Sequence, residues 1–91
     1  MPTPVTHFTT PQFWQLYNTL PPEVSDLADK NFALLKSDPS HSSLRFKKVG
    51  RYWSARVGIH HRAAGVQDGS DLVWFWIGRH DEYEFIIGSR R

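Results

Sequence analysis

The stretch that decides the fold is Tyr52-Trp53-Ser54-Ala55-Arg56-Val57-Gly58, a strand-like run whose alternate residues differ in chemistry. Successive side chains of a strand point to opposite faces of its sheet, so the run divides into two sets. The polar and cationic face carries Tyr52, Ser54 and Arg56, and the apolar face carries Trp53, Ala55 and Val57. The apolar face predicts a covered core, and the other face places an arginine on an open sheet surface.

Further strand-like runs surround this one. Residues 61–66 and 72–78 follow it, and residues 44–47 precede it, with glycines at the breaks between runs. Residues 72–77 are apolar at every position, which is typical of a strand covered on both faces. Residues 5–9 are β-prone after two prolines and predict a short edge strand.

Two helices are predicted before these strands. Thr10 and Pro11 form an N-terminal capping pair, and apolar residues then recur at helical spacing as far as about Leu20. A second helix restarts at Pro22 and ends before Asp38-Pro39. The predicted order is β-α-α-β-β-β-β. We therefore expect an α+β fold in which an N-terminal helical hairpin packs on a small antiparallel sheet of four to five strands.

Length and composition limit what the chain can be. Its 91 residues suit one domain, taken as 1–91, and 40% of them are hydrophobic. There is no cysteine and hence no disulfide. No apolar run approaches the ~20 residues that span a bilayer, and residues 1–4 do not resemble a signal peptide. These features predict a cytoplasmic protein without a membrane partner.

The charge is uneven although the net charge is only +2. Six bases follow one another without an intervening acid: Arg45, Lys47, Lys48, Arg51, Arg56 and Arg62. Such a run is often a solvated face, but Arg56 and Arg62 lie inside predicted strands, where an arginine needs a partner or a purpose. The pattern indicates a surface that can hold a phosphate backbone.

The order of elements and three short segments resemble the RelE/ParE superfamily of toxins from bacterial type II toxin–antitoxin systems. The segments are Leu44-Arg45-Phe46-Lys47, the run from Tyr52 to Gly58 with Arg62 after it, and Trp76-Ile77-Gly78-Arg79-His80 followed by Tyr83. Each segment is weak alone, and their combination over nearly the whole chain is moderately specific.

The resemblance implies two different activities on one fold. RelE-like toxins are endoribonucleases (mRNA interferases) that cut ribosome-bound mRNA and inhibit translation, without a metal or other cofactor. ParE-like toxins inhibit DNA gyrase without catalysis, and a degenerate toxin acting as a binding module is a third possibility. The expected partner is a small cognate antitoxin, together with the ribosome and mRNA for a RelE-like toxin or DNA gyrase for a ParE-like one. The histidine and tyrosine near the end of the chain favour the nuclease, because the gyrase-directed branch usually lacks that pair.

The resemblance also implies roles for individual residues. Arg56, Arg62, His80 and Tyr83 are the expected catalytic residues, and which of them serves as base and which as acid is left open. The expected RNA-binding residues are Arg45, Lys47, Lys48 and Arg79.

Simpler structural interpretations compete with these roles. In one interpretation, Arg56 forms an ion pair with Asp81 or Glu82. In another, Arg62 supports the hairpin. Tyr83 is a core or stacking aromatic instead of a proton donor. His60 and His61 are adjacent and so point to opposite strand faces, which argues against a metal site. Trp74 and Trp76, two residues apart, are expected to share one face as core or antitoxin-covered surface.

Overall fold

A computed structural model describes residues 6–89 and gives a five-stranded sheet with helices on both faces. The elements are, in order, β1 (His7–Thr9), α1 (Pro11–Tyr17), α2 (Pro22–Ser37), a 3-10 turn (Ser42–Leu44), β2 (Lys47–Val49), β3 (Tyr52–Val57), β4 (His61–Asp68), β5 (Asp71–Arg79) and α3 (His80–Ser89). The predicted α+β class is confirmed, with the two N-terminal helices followed by the strands. No helix within residues 6–89 is long and apolar enough to cross a membrane.

The sheet has the spatial order β1-β5-β4-β3-β2. Strands β2 to β5 form an antiparallel meander, whereas β1 pairs with β5 in parallel, His7 lying opposite Leu72. The sheet is therefore mixed, which differs from the wholly antiparallel pairing that we predicted. The sequence of a three-residue edge strand does not specify its direction relative to the neighbouring strand. The direction of β1 is set by where the chain must leave the sheet to begin α1. Val5, which we placed in this strand, lies outside the described residues.

The first two helices begin where their sequence signals predict, and α2 also ends at the predicted residue. The Thr10 hydroxyl accepts a hydrogen bond from the backbone N–H of Phe13 at 3.2 Å, which caps α1. Helix α2 begins at Pro22, and after its last residue the N–H of Asp38 donates to the Leu34 carbonyl. Helix α1 is shorter than expected, ending at Tyr17, with turn hydrogen bonds at Thr19 and Leu20.

The core divides into two clusters on opposite faces of the sheet. The helix face is the side packed against α1 and α2, and its buried members are Leu35, Leu44, Ala55, Val57, Ala63, Leu72, Trp74 and Ile77. The arginine face is the side that carries Tyr52, Ser54, Arg56 and Arg62, and α3 covers part of it. The buried members there are Tyr52, Ala64, Trp76, Tyr83 and Ile87. Both sides of β5 are covered, as its continuous apolar sequence predicts.

A β-bulge places Trp74 and Trp76 on different faces. The register shifts between Ala64 and Gly65, so Phe75 is an extra residue on β5. Trp74 consequently joins the helix-face cluster and Trp76 the cluster under α3. The expectation that these tryptophans share a face was wrong, because alternation fails by one step at a bulge. Both are buried.

Candidate active site

The arginine face is built by the pairing of β3 with β4. Arg56 lies opposite Arg62, and Ser54 lies opposite Ala64, in an unbroken antiparallel register. Directly opposed residues share a face and have Cβ atoms roughly 5 Å apart. Two guanidinium groups therefore begin from neighbouring points on the same surface, where opposed like charges are unfavourable unless something offsets them.

The contacts of Arg56 and Arg62 offset only part of the repulsion between their positive charges. The Arg56 Nε donates to the Gly58 carbonyl at 3.0 Å, which turns its stem toward the β3–β4 hairpin. The Arg62 guanidinium carbon lies 5.5 Å from the centroid of the Tyr83 ring, within cation–π range. The Arg62 Nε is buried and has no hydrogen-bond partner. Within residues 6–89, neither arginine forms an ion pair, so the proposed pairing of Arg56 with Asp81 or Glu82 does not occur.

Helix α3 brings the C-terminal segment to the arginines. Its N-terminus is anchored by the backbone N–H of His80, which donates to the His60 carbonyl at 2.7 Å. The Tyr83 ring is 5% exposed and packs between Trp76 and His80, with ring centroids 6.3 and 6.2 Å away. The resulting row of Arg62, Tyr83 and His80 joins three of the four expected catalytic residues.

His80 is the accessible member of this row. Its imidazole is about half exposed and stacks nearly parallel to the Tyr83 ring. Its Nε2 lies 3.2 Å from the Glu84 Oε1, one helical turn later. A carboxylate at one ring nitrogen fixes the orientation and tautomer of a histidine, so the arrangement suits proton transfer through the other nitrogen. His80 is the first residue of helix α3, an element that the predicted order β-α-α-β-β-β-β does not contain.

The expected RNA-binding residues are not all on one surface. Lys47 lies opposite Ser54 and so belongs to the arginine face, where it is exposed. Lys48 lies opposite Trp53 and belongs to the helix face. Arg79, exposed at the end of β5, has its Nε 3.5 Å from Asp81 Oδ1.

Arg45 lies outside the sheet. We expected a strand over residues 44–47, but β2 begins at Lys47 and Arg45 ends the 3-10 turn with a positive φ of 44°. A left-handed conformation breaks strand alternation and here allows the Arg45 N–H to donate to the Ser42 carbonyl. Its exposed side chain is not brought to the arginines by the sheet register.

Two residues at the site had no role assigned to them from the sequence. Glu84, the partner of His80, follows it by four residues, a spacing that only matters once α3 is recognised. Ser54 is fully buried beside the arginines, and its hydroxyl has no hydrogen-bond partner. The sequence did contain a signal for Ser54, because a serine inside a largely buried strand is a polar group that needs a partner.

The adjacent histidines do not build a metal centre with other ligands. His60 is exposed in the hairpin turn, and His61 begins β4 opposite Arg79. Throughout residues 6–89, no group of three histidine, aspartate or glutamate side chains gathers as metal ligands do.

Comparison with solved structures finds the same fold in toxins, at low sequence identity. YafQ from Escherichia coli BL21(DE3) superposes with a TM-score of 0.70 and 11% identity, over 87% of this chain and 97% of that one. The RelB–RelE antitoxin–toxin complex of Methanococcus jannaschii gives 0.67 and 14%, over 86% and 96%. A RelBE toxin–antitoxin complex from Mycobacterium tuberculosis gives 0.60 and 21%, over 86% and 100%.

The sequence comparisons add no relatives. No protein-family model matches the chain, and no curated protein matches it. The structural likeness establishes that this chain has the RelE/ParE-type toxin fold. A fold of this kind hosts more than one activity, so function must be argued from the site.

Proposed function

We propose that this chain, which has the RelE/ParE-type fold, is the toxin of a type II toxin–antitoxin system and an endoribonuclease that cleaves ribosome-bound mRNA. The observation that carries the proposal is the opposed pair Arg56 and Arg62, which has no carboxylate partner within residues 6–89. Two unneutralised guanidinium groups on one face are suited to bind a phosphate, since each has donors in a planar fork.

The proposed reaction uses the RNA's own nucleophile. The 2′-hydroxyl attacks the adjacent phosphorus, a bond from O2′ to phosphorus forms, and the bond from phosphorus to O5′ breaks. The products are a 2′,3′-cyclic phosphate and a 5′-hydroxyl. One proton leaves O2′ and another reaches O5′, so the site needs a base and an acid. Negative charge that develops on the phosphorane is stabilised by Arg56 and Arg62.

His80 is the proton-transfer group in this proposal, because it is exposed, next to the arginine face and oriented by Glu84. Tyr83 is better suited to hold Arg62 and His80 in place, since its ring is buried between them. The exposed Lys47 extends the cationic surface along the RNA backbone.

Part of the toxin proposal concerns the partner. Relatives of the same fold are solved in complex with antitoxins. A cationic face with exposed apolar side chains such as Phe85 suits an acidic and apolar inhibitor segment. Co-expression with the product of a neighbouring small gene should yield a complex and raise the melting temperature, because a ligand specific to the native state stabilises it.

Induction of the chain in bacteria tests the activity. Pulse labelling should show protein synthesis falling before DNA synthesis, and the variant Arg56→Ala should restore growth at equal protein level. If DNA synthesis fails first, with double-strand breaks, gyrase inhibition is the correct function. If expression is harmless and no neighbouring product binds the protein, the toxin proposal is wrong.

A further inference from the structure

A side-chain hydrogen bond joins helix α2 to the strand that carries Arg56. The Asn31 side-chain amide Nδ2 donates to the backbone carbonyl of Arg56 at 3.1 Å, between residues 25 positions apart in the sequence. Helix α2 packs on the helix face of the sheet, whereas the Arg56 side chain belongs to the arginine face. The bond therefore connects α2, through the backbone of β3, to a residue of the proposed active site.

Asn31 interrupts an apolar stripe of α2. It follows Leu27 by four residues and precedes Leu35 by four, so the three side chains lie on one side of the helix. Leu35 is buried in the core, and Asn31 is half-buried. Asparagine has a low helix propensity, and its amide costs free energy to bury unless it is hydrogen-bonded. An asparagine at such a position indicates a specific polar partner, and the Arg56 carbonyl is that partner.

The Arg56 carbonyl lies beyond the end of the outermost strand on its side of the sheet. Strand β3 has β4 on one side and β2 on the other, and the pairing with β2 ends where Lys47 lies opposite Ser54. Within the described chain, residues 55–57 therefore have a strand neighbour only in β4. A backbone carbonyl that faces the open side of a strand needs a donor from another element. The Asn31 amide supplies that donor to Arg56.

The same side of α2 also packs against the residue that binds the Arg56 side chain. The Arg56 Nε donates to the Gly58 carbonyl at 3.0 Å. A Cβ at Gly58 would lie 2.6 Å from the Leu27 Cδ2, so Leu27 packs directly on the glycine backbone. Leu27 and Asn31 are about 6 Å apart along the helix. Arg56 and Gly58 are about 7 Å apart along an extended chain, so α2 contacts both ends of this short segment.

We propose that Asn31 is a positioning residue for Arg56, and that it fixes the guanidinium group through the backbone of β3. The inference rests on the proposed nuclease function and adds a residue to its site. A guanidinium group that stabilises a phosphorane must be held in one geometry, since a displacement of about 1 Å can cost about 100-fold in rate. Arg56 has no ion pair within residues 6–89, so its position depends on its backbone and on the Gly58 carbonyl.

The test replaces Asn31 with leucine, which has nearly the same shape and no amide donor. Leucine continues the apolar stripe and favours the helix, so Asn31→Leu should fold. A second variant, Asn31→Asp, keeps the size of the residue and exchanges the N–H₂ donor for an acceptor. The matched control is Asn18→Leu, because Asn18 is exposed after the end of α1. Urea unfolding checks each variant, and if neither Asn31 variant folds, Asn31 is a structural residue and the proposal is wrong.

The first readout does not require activity. Exchange of each arginine Nε–H with solvent is measured by NMR on protein with isotope-labelled arginine, and the Arg56 signal is identified by its loss in Arg56→Lys. Exchange at Arg56 should be at least about threefold faster in both Asn31 variants, the scale of one lost hydrogen bond, and unchanged in Asn18→Leu. The Arg62 signal should keep its exchange rate. Unchanged exchange at Arg56, or equal acceleration at Arg56 and Arg62, would overturn the proposal.

The second readout is single-turnover cleavage of ribosome-bound mRNA, which gives a maximal rate and the protein concentration at half of that rate. Both Asn31 variants should lower the maximal rate at least about tenfold and change the half-maximal concentration less than about twofold, because the lost interaction acts in the transition state. A wild-type rate, or a change in the half-maximal concentration alone, would overturn the role of Asn31 and leave the nuclease proposal intact. A wild type that cleaves no RNA would show that the proposed function is wrong, and the role of Asn31 with it.

Discussion

Arg56 on β3 and Arg62 on β4 lie directly opposite each other on one face of the sheet, and neither has an ion-pair partner within residues 6–89. Opposed like charges are unfavourable, so this pairing lowers the stability of the free protein. The same pairing gives two guanidinium groups neighbouring starting points on one face, which suits the binding of a phosphate. The proposed phosphate binding therefore accounts for a pairing that a purely structural role does not explain.

The first prediction concerns activity. Arg56→Ala should reduce RNA cleavage at least ~100-fold, the scale expected when one preorganised electrostatic donor is removed from a transition state. Folding should change little, because the side chain is half-buried and makes one hydrogen bond to a carbonyl. Arg51→Ala is the matched control, since Arg51 is an exposed arginine in the β2–β3 turn. Normal cleavage by Arg56→Ala would assign Arg56 a structural role.

The second prediction concerns stability. Arg62→Met should keep the apolar stem, remove a buried Nε that lacks a partner and relieve the repulsion with Arg56. The loss of the contact with Tyr83 costs ~0.5–2 kcal/mol, and the removal of an unsatisfied buried donor, which itself costs ~1–3 kcal/mol, offsets that loss. We expect an unchanged or higher urea midpoint together with lost cleavage. A strongly destabilised variant would show that Arg62 supports the hairpin.

The third prediction concerns pH. The pKa of His7 is lowered, mainly by burial and also by the charge of Lys36, and its Nδ1 accepts a hydrogen bond from Trp74 Nε1 at 3.0 Å. Because the folded pKa lies below the unfolded value of about 6.5, the neutral ring stabilises the fold fully above that pH. This contribution is lost as the pH falls below 6.5 toward the folded pKa. The lowered pKa of His61 acts in the same direction.

Urea unfolding at pH 7.5 and pH 5 measures this effect. The wild type should be less stable at pH 5, and His7→Gln should show a smaller loss between the two pH values. An identical pH dependence in His7→Gln and the wild type would contradict the assignment to His7.

The fourth prediction compares two glycines. A Cβ at Gly78 would lie 2.7 Å from a ring carbon of the buried Trp76, so Gly78→Ala must displace that ring. Such overpacking typically costs ~1–3 kcal/mol. A Cβ at Gly88 in α3 would meet no atom within 4 Å, and alanine there should stabilise the helix by up to ~1 kcal/mol. Thermal melts of the two variants should shift in opposite directions, and a neutral Gly78→Ala would show that the ring can move freely.

Much of the architecture could be predicted because local signals agreed with it. Thr10-Pro11, Pro22 and Asp38-Pro39 mark helix ends through their own backbone restrictions, and β3 to β5 follow their apolar patterns closely. The strand patterns alone could not predict that Arg56 lies opposite Arg62. It depends on the length of the hairpin around Gly58, which a single strand pattern does not specify.

The bulge in β5 could not be predicted from the sequence, whereas helix α3 could have been predicted and was missed. The bulge at Phe75 depends on how β5 meets β4, and no residue in a wholly apolar run signals it. Helix α3 did have a signal, since Asp81 and Glu82 suit a helix N-terminus and Tyr83 and Ile87 recur at helical spacing. The contact of His80 with Glu84 follows from that helix. Without helix α3, the most exposed of the four expected catalytic residues had no assigned partner.

The chemistry of the cut ends distinguishes the proposed cleavage mechanism from the alternatives. Purified wild-type protein is added to ribosomes translating a defined mRNA, with Arg56→Ala and a His80→Gln variant in parallel, and the products are treated with polynucleotide kinase and phosphatase before sequencing. We expect fragments with a 2′,3′-cyclic phosphate and a 5′-hydroxyl for the wild type and a large loss of both in the variants. Fragments with a 5′-phosphate, or equal cleavage by all three proteins, would show that the proposed mechanism is wrong.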